Sequence, residues 1–297
     1  MKRPPITIPI LLIGLISVSF AAIFIKLIGS SGPVHPIVIA AWRLIMTAVV
    51  IIPLGTVVLR GRLWTVMKKH GLILGIGGIL LGLHFILWIA SLNLTSVASS
   101  VVIVCMNPIW VGLASHFVLK ERPGRHEVIG IVLAVAGAVI IGWGDFSVSH
   151  RALLGDLLAL GGSFLMSGYM LLGRRVRVDV SLLEYITPIY TVAALAVAPF
   201  ALVMDLPLGG YSGKVYLLLA ALAIIPQLIG HTSFNWALRY VTATIVAVTI
   251  LGEPVIATVL AYFILHESVT AVVVAGGIIT LIGIGVVLAK SGNAHDE

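Results

Sequence analysis

Ten apolar stretches of membrane-spanning length take up almost the whole of this chain. They run over 8–28, 35–59, 71–92, 97–119, 126–143, 153–173, 182–204, 215–238, 242–264 and 270–289. A helix crossing the hydrocarbon core needs about 20 mostly apolar residues, each adding about 1.5 Å of rise. The stretches are apolar on both phases of a two-residue period, so transmembrane strands, which alternate, are not the reading. Little is left over for a soluble domain. Only 10% of the 297 residues are charged and 60% are hydrophobic, whereas a soluble domain is about 25% charged. Lipid is therefore the expected solvent. Lys2 and Arg3 ahead of the first stretch resemble a secretory leader. No small-x-small cleavage site closes it, and a retained first helix is expected.

The net charge of +7 would suggest nucleic acid in a soluble protein. Here it sets orientation instead, because cytoplasmic loops of membrane proteins collect Lys and Arg. With the N-terminus in the cytoplasm, cytoplasmic segments hold Lys2, Arg3, Arg60, Arg62, Lys68, Lys69, Lys120, Arg122, Arg125, Arg174, Arg175, Arg177, Arg239 and Lys290, and the other side holds only Arg151 and Lys214. Both termini are thus expected in the cytoplasm of a multi-pass protein of the cell (plasma or inner) membrane. The single cysteine, Cys105, leaves no intrachain disulfide, and no cofactor or metal site is expected.

The chain also repeats itself at an offset of 146 residues. Asn107-Pro108 faces Glu253-Pro254, and Phe117-Val118-Leu119-Lys120-Glu121 faces Phe263-Ile264-Leu265-His266-Glu267. Gly130 faces Gly276, Gly137 faces Gly283, and Ser91-Leu92 faces Ala237-Leu238. Nearer the front of each half the match shifts slightly, pairing Ser19-Phe20 with Ser163-Phe164. The domains are residues 1–146 and 150–291, five helices each, with a polar cytoplasmic tail at 292–297. Five is odd, so the second unit enters the membrane upside down. The fold class is all-α integral membrane, ten transmembrane helices as two inverted five-helix repeats around a central cavity. Such repeats are common in secondary transporters, whose halves rock about a midplane site. Plain duplication without a transport role is the alternative.

On Asn107-Pro108, Leu119-Lys120-Glu121 and Gly130 in the first half, and Glu253-Pro254, Leu265-His266-Glu267 and Gly276 in the second, the chain resembles the EamA-type ten-helix transporters of the drug/metabolite transporter superfamily. Arg43 in the second helix suits the pattern. The resemblance covers essentially the whole chain. It implies a ten-helix fold with a central cavity and, often, export of amino acids or other metabolites. The first half departs from the second in having Asn107 opposite Glu253, so an acidic role there is not assumed to be duplicated.

Glu253 lies about 16 Å into its span, near the bilayer midplane, where a carboxylate is costly and usually functional. It reads as a ligand for a substrate amine or as a proton carrier. The alternative is a structural ion pair with Arg43, which lies roughly 12 Å deep from the outer side. Pro254 frees the carbonyl of Ile250 to face a cavity. His84 and His231 fall one residue apart under the offset, each with a partner one turn on, Trp88 and Asn235. Trp88 could stack on an organic ligand. For the histidines, bonding to a neighbouring helix is an equal alternative. Asn107-Pro108 reads as a kink whose amide binds substrate or a neighbouring helix.

The substrate-binding candidates are therefore Glu253, His84, Trp88, Asn107, His231, Asn235 and Arg43. Trp236 reads as interfacial belt, Trp110 as lipid-facing, Lys26 as snorkelling outward, and Gly71-x3-Gly75 with Gly78-x3-Gly82 as helix contact. Glu121 and Glu267 read as helix-end anchors. Gly29-Ser30-Ser31-Gly32 matches a short intramembrane-protease pattern but suits a turn better. No catalytic residue is assigned, and the protein is not expected to be an enzyme. The expected partners are a small-molecule substrate, membrane lipid and protons as a candidate coupling ion, with no nucleic acid. Monomer and homodimer stay open. A passive uniporter and an intramembrane enzyme are the rival readings.

Overall fold

The computed structural model describes residues 4–121, 123–143, 149–266 and 269–291. Lys2, Arg3, Arg122, Glu267, the tail at 292–297 and the side chain of Lys290 lie outside the described residues. The described chain is all-α. The helices are α1 (Thr7–Ser31), α2 (Pro36–Leu59), α3 (Arg62–Ser91), α4 (Val97–Leu119), α5 (Arg125–Trp143), α6 (His150–Arg177), α7 (Leu182–Val203), α8 (Gly213–Ala237), α9 (Ala243–Leu265) and α10 (Ala271–Ser291). Among the described residues, nine of these are long and apolar enough to cross a membrane, and α5 adds 19 residues between two of them.

Several boundaries differ from those read off the apolar runs. The helix α3 starts at Arg62, nine residues early, because its first turns are polar yet still helical. There Lys68 lies over the Trp64 ring at 5.3 Å and Lys69 reaches Asp179 at 3.7 Å. The α1 helix runs on through Gly29, Ser30 and Ser31, whose two hydroxyls bond the carbonyl of Leu27, and turns at Gly32 with φ 151°. The serine pattern is therefore the last turn of a helix. Hydropathy marks where a segment turns polar, and a helix at the membrane edge continues past that point.

The repeat persists into local geometry. Lys120 and His266, counterparts at the offset, both cap their helices in the left-handed region with φ 59° and 57°. Their amides bond Ser115 and Ala261, themselves counterparts. Ser96 and Thr242, again counterparts, each cap the helix that follows with a side-chain oxygen.

The two halves meet along α5 and α10. A Cβ on Gly130 would lie 2.7 Å from the Gly283 carbonyl oxygen, and one on Gly137 would lie 2.5 Å from that of Gly276. Built on Gly276 and Gly283, the Cβ atoms would meet the Gly137 and Gly130 oxygens at 2.7 Å each. The contact is reciprocal, as across a twofold axis, and the numbering rises on one helix as it falls on the other. The helices are thus antiparallel, which is the inversion expected of two five-helix repeats. Near the axis Thr280 Oγ1 donates to the carbonyl of Ala134 at 3.4 Å, a pair separated by 146 residues. In α3, Gly78 and Gly82 press on α7 at Val192 and Ala193, while Gly75 meets nothing within 4 Å and Gly71 meets only Met67 of its own helix. Only the second of the two expected Gly-x3-Gly pairs is a contact.

Candidate functional site

Proline decides where the central helices break. Pro108 and Pro254 cannot donate to the residue four back and clash with its carbonyl. Accordingly α4 stops at Val104 and resumes at Asn107, and α9 stops at Ile250 and resumes at Glu253. The expected kink is a full break in both halves. Each second piece thus begins in the middle of its span, directing free N–H groups and the positive end of a helix dipole into the interior. Glu253 and Asn107 are the first residues of those pieces and are buried. An acidic residue at such a terminus is electrostatically favoured.

A third distortion lies in α8. Residues Ala223–His231 form a π-helical stretch around Pro226. Gly230, the counterpart of His84 at the repeat offset, packs against α1, and its Cβ would meet Val18 at 2.7 Å. The next residue, His231, is the one that reaches the interior.

These elements enclose a central cavity of about 30 Å³, lined among others by Arg43, His84, Trp88, Asn107, His231 and Glu253. That volume holds about one water molecule. Six of the seven expected residues come together here.

Arg43 is fully buried. Its Nε donates to Gln227 Oε1 at 2.9 Å, and its guanidinium lies 3.8 Å from the centre of the Phe85 ring. Among the described residues no ion pair joins it to Glu253, so the structural-pair reading does not hold in this conformation. Glu253 instead accepts a weak bond from the Cys105 thiol at 3.6 Å. His84 Nδ1 bonds the carbonyl of Gly162 at 2.9 Å, and its ring stacks on Trp88 with planes 8° apart. The amide of Asn107 satisfies its neighbours when its nitrogen faces the Val104 carbonyl at 3.0 Å and Ser163 Oγ at 3.2 Å. Val104 is the carbonyl that Pro108 leaves free, so the asparagine closes its own helix break. Four buried polar atoms around this site have no hydrogen-bond partner among the described residues: Arg43 Nη1, Trp88 Nε1, Gln227 Nε2 and His231 Nδ1. Unmet polar atoms of this kind are costly unless something occupies them.

Asn235 is the exception. It is one turn beyond His231, but its side chain accepts from Tyr169 at 2.7 Å and donates to Tyr190 at 3.1 Å, outside the cavity lining. It belongs to a polar network at the end of the bundle that carries Arg60, Lys120, Arg174 and Arg239. There Arg174 Nε donates to Glu121 at 2.9 Å and its Nη1 to the Leu238 carbonyl at 2.8 Å. Buried Arg177 holds the carbonyls of Asn235 and Val180. This end, the basic end, is closed by side chains from α4, α6, α7 and α8. Trp236 packs on Tyr240 at 4.5 Å, away from the cavity. Trp110, expected toward lipid, is half-buried edge-on against Phe164.

The opposite end is open by comparison. A vestibule of about 570 Å³ lies between α1, the first piece of α4 and the second piece of α9, with Lys26, Val101, Pro254 and Thr258 among its lining. Val101 and Pro254 stand within one turn of Val104 and Glu253, which line the central cavity. The two spaces are thus adjacent along α4 and α9.

Two features escaped the sequence reading. Gln227 anchors Arg43; a buried amide straight after Pro226 was the available signal. Lys26 lines the vestibule, and nothing in its apolar neighbours marks it out.

Among known proteins, the EamA-like transporter family matches residues 5–143 and 153–289. The chain is 24% identical over 225 residues to the uncharacterized transporter YyaM of Bacillus subtilis, covering 73% of each. It is 24% identical over 209 residues to an uncharacterized transporter of Archaeoglobus fulgidus, covering 67% of this chain and 70% of that one. A solved crystal structure superposes with a TM-score of 0.75 over 97% of this chain and 99% of the other, at 22% identity, a likeness of fold.

Proposed function

This chain belongs to the EamA-like transporter family, and on that premise we propose that it is a secondary transporter that exports amino acids or related amphipathic metabolites by alternating access. It is a membrane transporter. The observation that carries it is the pairing of a buried guanidinium, Arg43, with a buried carboxyl, Glu253, on one small cavity where no ion pair joins them. An acid and a base held apart in a low-dielectric site attract a ligand of complementary ends. The partnerless donors of Arg43 and Trp88 suit a carboxylate. Glu253 suits an ammonium, and the stacked His84 and Trp88 rings suit an apolar or aromatic body. Asn107 and His231 complete the wall, and Asn235 acts from the basic-end network.

The basic end is the cytoplasmic face of the cell membrane by the positive-inside rule, with both termini there. The vestibule then faces outward. Glu253 is the proposed proton carrier, releasing substrate when it takes up a proton. Reconstitution into proteoliposomes tests this, with uptake measured over a panel of amino acids and metabolites with and without a pH gradient. At least one amphipathic substrate should accumulate only under the gradient, and Glu253→Gln should abolish the gradient dependence. A passive uniporter would equilibrate substrate regardless of pH, and that result would refute the coupled reading.

A further inference from the structure

Lys26 is the single charged residue lining the vestibule among the described residues. It is exposed there, and among the described residues no hydrogen bond or ion pair holds it. The remaining wall is apolar or hydroxyl-bearing, with Ser96, Thr258 and Thr270 its polar members. On α1 it stands five residues beyond Ala21, which lines the central cavity, or about 7 Å further along the helix axis. The next cation inward is Arg43, with one guanidinium nitrogen unpartnered. Two cations thus line adjacent spaces, Lys26 the vestibule beside Val101 and Pro254 and Arg43 the central cavity beside Val104 and Glu253.

The fold does not require a cation at this place. At the offset that pairs Ser19 with Ser163, the counterpart of Lys26 in the other half is Met170, which is buried and apolar. An ammonium group without a partner among the described residues, on the wall of a cavity, is available to whatever enters. A narrow space with low-dielectric walls focuses that field.

We propose that Lys26 is the charge-selecting residue of the vestibule, stationing the anionic group of a substrate, a carboxylate or phosphate, on its way between the outer face and Arg43. This rests on reading the vestibule as the outer half of the substrate path. Snorkelling of Lys26 to a lipid headgroup is the competing role.

The test needs no known substrate. Thr258→Cys, or Ala98→Cys on the facing wall, is introduced in a Cys105→Ala background and reconstituted in neutral phosphatidylcholine vesicles. Modification rates are compared for the anionic sulfonatoethyl and the cationic trimethylammonioethyl methanethiosulfonates. The anionic-to-cationic rate ratio should fall about fivefold when Lys26→Gln is added, and the difference should shrink in high salt. An unchanged ratio at both reporter positions overturns the proposal. So does an effect of Lys26→Gln that appears only in vesicles containing anionic phosphatidylglycerol, which would assign the charge to lipid. The readout is chemical, so it stands or falls separately from the transport assay: a chain that moves no substrate still gives or fails to give this ratio.

Discussion

Gly137→Ala probes the seam where the two halves meet. The added Cβ would lie 2.5 Å from the Gly276 carbonyl oxygen and equally close to the amide nitrogen and hydroxyl of Thr280. Ordinary contact begins near 3.4 Å, so α5 and α10 must part by about 1 Å. Two of the three obstructing atoms are backbone and cannot rotate away. Overpacking of this kind costs about 1–3 kcal/mol, and a backbone clash belongs at the upper end. Gly75→Ala is the internal control. It sits inside α3 with nothing within 4 Å of the new carbon, and replacing a mid-helix glycine should stabilise by about 0.5–1 kcal/mol. Thermal unfolding in detergent micelles, followed by loss of the monodisperse peak, should rank the proteins Gly75→Ala, wild type, Gly137→Ala. Adding Gly276→Ala to Gly137→Ala should cost less than the sum of the singles, because one separation relieves both clashes. A Gly137→Ala protein as stable as wild type would refute the seam.

Two further outcomes follow from the site and its closure. Arg43→Lys keeps the charge but loses the Nε bond to Gln227 and the flat guanidinium over Phe85, so kcat/KM for transport should fall about tenfold with the protein still folded. Arg174→Gln removes the ion pair to Glu121 and the cap on the Leu238 carbonyl. Both partners of that pair are partly exposed, so the bias lost is about 1 kcal/mol. A cysteine at Ala247, buried on the first piece of α9, should then react about fivefold faster with an impermeant reagent applied at the basic end.

Much of the fold could be read from the chain because the bilayer imposes a length on every span, and because the x-Pro, Leu-x-Glu and Gly positions recur without a gap. Glu253 stood out since a carboxylate among apolar residues has few structural excuses. What stayed hidden was direction. These spans are apolar on every side, so periodicity could not say which face meets lipid and which meets the interior. Lys26, read as snorkelling outward, lines the vestibule. Asn235 was assigned to the site on its spacing from His231, but the Tyr169 and Tyr190 hydroxyls capture its amide. The early start of α3 at Arg62 was masked by the Lys and Arg residues that the membrane edge favours.

The most direct measurement is the sidedness of Lys120 and His266, counterparts that cap matching helices with the same left-handed geometry. Cysteines placed at each should be labelled by an impermeant maleimide from opposite sides of sealed vesicles, Lys120→Cys from the cytoplasmic side and His266→Cys from the outside. Labelling of both from one side would mean that the halves are not inverted, and the account of a rocking pair around Glu253 would fail with them.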